Sequence, residues 1–143
     1  MNNFLWTSQG CDMPQLDISL LEKWIVEVAA RHGRRVGHLA YIFCNDERIL
    51  EVNREFLQHD YYTDIITFDS CMGKLLNGDM FISLDTVASN AELVGARYNQ
   101  ELNRVIIHGV LHLCGINDKG PGEREIMEAE ENAALTLLAE LTV

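Results

Sequence analysis

From Asn99 to Asp118 the chain reads NQELNRVIIHGVLHLCGIND, and this stretch decides how the rest of the sequence is arranged. Leu102, Ile106, Val110 and Leu113 recur at near-helical steps, which predicts a long buried helix. His108 and His112 lie four residues apart on it, an advance of about 6 Å that returns to nearly the same face, so both imidazoles can reach one ion. Gly115 permits the left-handed backbone that stops a helix, and the chain can then swing Asp118 back towards the same point. The spacing H-x-x-x-H-x-x-G-x-x-D therefore predicts a metal site with His108, His112 and Asp118 as ligands and one coordination position open, as catalytic sites require. A lone histidine would be read as a packed core imidazole. Two at this spacing, followed in register by a glycine and a carboxylate, favour a metal. Cys114 points roughly 200° around the helix from His112 and reads as a small buried hydrophobe.

The spacing is similar to that of the metzincin peptidases, with two departures: Gly109 stands where the peptidases carry their Glu, and Asp118 where they carry a third His. The Glu is the general base of such sites. With Gly109 in its place, either the base lies elsewhere or the metal alone brings the pKa of its water to about 7.

At 143 residues the chain is expected to form one domain, 1–143, with a core that needs no covalent staples. Cys11, Cys44, Cys71 and Cys114 form no C-x-x-C pair, and no segment approaches the roughly 18 apolar residues of a membrane span. Nor does the N-terminus have the basic start and apolar run of a signal peptide. A reduced, cytoplasmic protein without a membrane partner is the expectation. The net charge of -11, from 11 basic and 22 acidic residues, argues against indiscriminate binding to nucleic acid. Arg31, Arg34 and Arg35 crowd three cations into five positions near the end of the first helix. There they would complement its dipole, and the same geometry is compatible with a phosphate-facing patch. The glutamates between Glu123 and Glu131 read as the solvated face of a last helix.

Along the chain, Phe4 to Thr7 reads as a short strand. Ile18, Leu21, Trp24, Ile25 and Val28 mark a first helix that ends near Gly33, with Ser19 and Glu22 as its capping box. Val36 to Cys44 is a buried strand. Asn45 or Asp46 caps a second helix to about Leu57, with Ile49, Leu50, Asn53 and Phe56 on one side. Ile65 to Phe68 and Met80 to Ser83 are expected to pair antiparallel across a loop, SCMGKLLNG. Asp85 opens a third helix to about Gly95, and the metal helix and a last helix follow. The fold class is α+β: a small mixed sheet packed with about five helices, the metal site on a late helix and the following turn.

Together with HGVLHLCG, the segments TDIITF (Thr63 to Phe68) and GDMFIS (Gly78 to Ser83) resemble the YbeY family of metal-dependent endoribonucleases involved in ribosomal RNA maturation. The resemblance implies a divalent metal, zinc before others, and a single-stranded RNA substrate in the small ribosomal subunit. It implies activity in small-subunit maturation and ribosome quality control. The family usually has a third His where this chain has Asp118, and a harder, more anionic site could shift preference towards Mn²⁺ or Mg²⁺. The family also tends to carry a basic residue, often Arg, at the position of Leu57; His59 is the nearest replacement. Arg31, Arg34, Arg35 and His59 are thus the candidate RNA contacts, with Arg104 a further cation for a groove that has to be neutral or basic. The alternatives are a metallopeptidase, which Gly109 disfavours, and a non-catalytic ribosome-assembly factor whose metal only stabilises the fold.

Overall fold

In the computed structural model, which describes residues 2–57 and 63–142, four strands and five helices follow one another as β1 (Asn3–Gln9), α1 (Ile18–Arg31), β2 (Arg35–Cys44), α2 (Asp46–Val52), β3 (Ile65–Asp69), β4 (Leu75–Ser83), α3 (Leu84–Val94), α4 (Tyr98–Leu113) and α5 (Glu123–Thr142). The strands form one mixed sheet in the order β1-β2-β4-β3. β2 pairs in parallel with both β1 and β4, and β3 closes the other edge antiparallel to β4, as the sequence suggests. β2 is apolar on both faces because both are covered: Leu39, Tyr41 and Phe43 join the main core with α1, α4 and α5, while Cys44 joins a smaller cluster with Ile49 and Val52 of α2 and Ile66 of β3. Trp24 is fully buried and its indole N–H donates to the Ala134 carbonyl of α5 at 2.8 Å.

Local details depart from the expectations in three places. Asp17, not Ser19, caps α1, its side chain accepting from the Leu20 N–H at 3.2 Å. The expected loop before β4 is shorter, because Leu75 and Leu76 already pair with Arg35 and Val36 of β2. After α2 the chain widens into a π-helical stretch, Asn53–Leu57. A wider turn shifts the angular phase of its side chains, so Asn53 is buried while Phe56 is 57% exposed. Asn45 does cap α2, accepting from the Arg48 N–H at 2.8 Å.

Candidate active site

α4 lies against β3 and β4 and is buried along most of its length. The buried Tyr41 hydroxyl of β2 donates to its Ile106 carbonyl at 3.0 Å. Gly109 is where helix and sheet come closest: a Cβ there would stand 2.6 Å from Met80 Sδ and 3.0 Å from Ile65 Cδ1. The position at which a related motif places a catalytic Glu is therefore filled by the sheet, and the peptidase alternative loses its base for a steric reason. The helix ends as expected. Gly115 adopts φ 96° and donates to the His112 carbonyl at 3.0 Å, while the Ile116 N–H donates to Leu111 at 3.1 Å.

That turn sends the chain back towards α4, and Asp118 Oδ2 comes to rest 3.3 Å from His108 Nε2. A cleft of about 260 Å³ opens here. His108, His112, Asp118 and Lys119 line one side; the other is formed by the start of β3 with Thr63 and Asp64, and by Asn53 and Leu57. The three expected ligands thus share one cleft. Among the described residues, no three His, Cys, Asp or Glu side chains are already gathered into a metal-ready cluster; the exposed His112 stands apart from the His108–Asp118 pair. Glu123 is not in the cleft lining, and its carboxylate instead accepts from the Gly120 N–H at 2.6 Å, bracing the loop beyond Asp118.

The donor chemistry suits a divalent ion. Bonds of about 2.0–2.1 Å at tetrahedral angles keep two donors roughly 3.3 Å apart, which is the separation of His108 Nε2 and Asp118 Oδ2. The other nitrogen of His108, Nδ1, lies 2.6 Å from Glu131 Oε2. Such a carboxylate fixes which imidazole nitrogen carries the proton and which faces a metal. Glu131 was expected on a solvated face; it is instead 2% exposed, between α4 and α5. Arg104 donates to its Oε1 at 3.0 Å and makes a fork onto Glu101, itself 3% exposed.

Burial disfavours a charged His108, yet the Glu131 hydrogen bond and the negative charges of Glu131, Asp118 and Asp64 outweigh it and raise its pKa above the ordinary imidazole value. Burial likewise works against an ionised Glu131, but hydrogen bonds from His108 and Arg104 prevail and hold it below the usual carboxylate range. At Asp64 burial wins over the His108 and Arg104 charges, and its pKa is raised.

The cations are distributed differently from the sequence expectation. Arg31 pairs with Glu27 at 3.8 Å on the exposed face of α1, and Arg35 is exposed at the start of β2. Arg34 donates to the carbonyls of His32 at 2.9 Å and Cys114 at 3.2 Å, pinning the turn after α4 to the α1–β2 connection. None of the three lines the cleft. Arg104 is committed to its two glutamates, and His59 lies outside the described residues. The lysine or arginine that lines the cleft, among the described residues, is Lys119. Leu57 does line the cleft, where it presents an apolar side chain.

Comparison with known proteins supplies the remaining evidence. A family model described as Endoribonuclease YbeY matches residues 9–139. A Bacteroides thetaiotaomicron protein named Endoribonuclease YbeY is 64% identical over 132 residues, 92% of this chain and 96% of its own length. A Porphyromonas gingivalis protein of the same name is 53% identical over 133 residues, 93% of this chain and 88% of its own. The solution structure of a Thermotoga maritima protein superimposes with a TM-score of 0.67 at 24% identity, covering 94% of this chain and 88% of that one, a likeness of fold.

Proposed function

Because the chain belongs to the YbeY family of endoribonucleases, it is an RNA-cleaving hydrolase, and we propose that the cleft between α4 and β3 is where a single-stranded segment of ribosomal RNA is cut. The setting of the reaction is the maturation and quality control of the small ribosomal subunit, in the cytoplasm; no described helix is long and apolar enough to cross a membrane. His108, His112 and Asp118 hold one divalent ion, zinc before others. When bound, the ion supplies Lewis acidity at a phosphodiester oxygen and a more acidic water.

The observation that carries this reading is the facing of His108 Nε2 and Asp118 Oδ2 across 3.3 Å, with the opposite imidazole nitrogen occupied by Glu131. Around that pair the chain's own residues do the positioning. Lys119, beside Asp118, receives a substrate phosphate. Thr63 and Asp64 at the start of β3, with His59 beyond the described segment, orient the strand. Leu57 offers an apolar surface to a base or ribose. Arg34 ties the α1–β2 turn to the turn after α4, and the exposed Arg31 and Arg35 are the cations offered to flanking RNA outside the cleft. Metal analysis of the purified protein, followed by cleavage assays on single-stranded RNA, duplex RNA and a peptide library, tests the proposal. One equivalent of metal and cleavage of single-stranded RNA alone is the expected result. Peptide hydrolysis, or RNA cleavage that survives chelation, would refute it.

A further inference from the structure

Glu101, Arg104 and Glu131 pose an energetic question. Taking an ion out of water costs several kcal/mol even after relaxation, and well-packed apolar residues commonly replace buried ion pairs without loss of stability. The α4–α5 contact already has such packing, since Leu102, Val105, Met127 and Ala134 belong to one core. A second carboxylate is also more than Arg104 needs, because Glu101 already takes both its Nε and Nη2. The trio carries one net negative charge. Among the described residues, the further titratable group hydrogen-bonded to it is His108, through Glu131 Oε2 at 2.6 Å.

The geometry points to Glu131 as a positioning residue for the metal site: braced from behind by Arg104 and Glu101, it holds His108 Nδ1 and keeps Nε2 directed at Asp118. This assignment rests on the reading of His108 as a metal ligand. Glu101, Arg104 and His108 follow each other at three- and four-residue steps, so they share one face of α4. Glu131 faces them from α5. Among the described residues each Glu131 oxygen has one partner, Oε1 the guanidinium and Oε2 the imidazole, so the carboxylate is fixed at both ends. An imidazole fixed in this way loses less freedom when it binds an ion, and a carboxylate partner makes it a stronger donor.

The test measures Zn²⁺ affinity by competition with a chromophoric chelator for the wild type, Glu131→Gln and Glu101→Gln. Long-range ¹H–¹⁵N correlation spectra of the Zn²⁺-loaded proteins report the proton at His108 Nδ1. Glu131→Gln is expected to weaken Zn²⁺ binding by about 10–100-fold and to shift the Nδ1 proton signal, and Glu101→Gln to do far less of either. Should Glu131→Gln fail to fold, Glu131→Asp keeps a charge for Arg104, withdraws the carboxylate from Nδ1 by one methylene, and is expected to weaken binding in the same direction. Equal affinity in wild type and the Glu131 variant, or equal losses in the Glu131 and Glu101 variants, would overturn the assignment and leave the metal reading intact. If the wild type took up no Zn²⁺, the metal reading itself would fall, and the assignment with it.

Discussion

Lys119→Gln isolates the electrostatic part of RNA recognition in a protein whose net charge opposes it. The chain carries -11, but the Debye length is about 10 Å at 0.1 M salt, so acidic residues on remote faces are screened from a strand in the cleft. What a phosphate meets inside is Asp64, Asp118, two imidazoles and Lys119. Each phosphate neutralised on a single strand contributes about 0.7 to the slope of log K against log salt. Losing one contact should therefore make the variant's affinity less salt-sensitive. Between about 50 and 200 mM the ratio of variant to wild-type Kd should shrink by roughly 2.6-fold, the four-fold salt change raised to the power 0.7. An exposed ion pair is worth about 0.2–1 kcal/mol, so the deficit at low salt should be at the upper end of a range of about 1.4–5-fold. Fluorescence anisotropy with a labelled single-stranded oligoribonucleotide, under chelation so that nothing is cut, measures both quantities. Lys119→Arg should restore the slope. An unchanged salt slope in Lys119→Gln would show that Lys119 does not contact phosphate, and the cleft would need another source of attraction.

Other perturbations probe the site and its frame. Asp118→Ala should cost more metal affinity than the roughly 10–100-fold of losing a partner behind a ligand, as read by chelator competition, whereas Asp118→His should retain metal and move the pH optimum of cleavage downwards, because imidazole brings no formal charge to the ion. Gly78→Ala should destabilise by about 1–3 kcal/mol in urea denaturation, since the new Cβ would stand 2.7 Å from the Phe68 carbonyl of the paired strand. Gly109→Ala should cost less: the intruding neighbour is the flexible Met80 side chain, and replacing glycine within a helix returns about 1 kcal/mol. Burial raises the Cys44 thiol to about 12 and the Cys114 thiol to about 11, so in the native protein at pH 8 neither should react with a disulfide reagent on the timescale of the half-buried Cys11 and Cys71, and four thiols should titrate only after denaturation.

What was legible in the sequence is what a few neighbouring residues decide by themselves. The step from His108 to His112 and the left-handed turn at Gly115 follow from helix geometry, and both appear where the pattern places them. The continuous apolar run of β2 and the cap at Asn45 are equally local. Partners distant in sequence were not legible. Leu75 and Leu76 become strand because β2 offers them a parallel edge, and nothing in SCMGKLLNG announces that edge. Arg34 read as a cation that would complement the end of α1 or face a phosphate, yet the Cys114 carbonyl that engages it lies 80 residues away. Phe56 pointed inwards on an ideal helix and turned outwards when the chain widened into a π-helical stretch.

Glu131 shows the same limit at the centre of the function. In α5 it sits among Glu123, Glu125, Glu128 and Glu130, residues of the same kind, and composition gives no reason to single it out. Helical periodicity does give one: Met127, Ala134 and Leu138 lie four, three and seven residues from it, so Glu131 falls on the buried stripe of the helix. A carboxylate on an apolar stripe needs partners, and the guanidinium and imidazole able to satisfy it stand on the face of α4 that carries the metal motif. A buried position occupied by an acidic residue is thus the signal for the support proposed behind His108, and here it is readable only when the periodicity of one helix is set beside the histidine spacing of another.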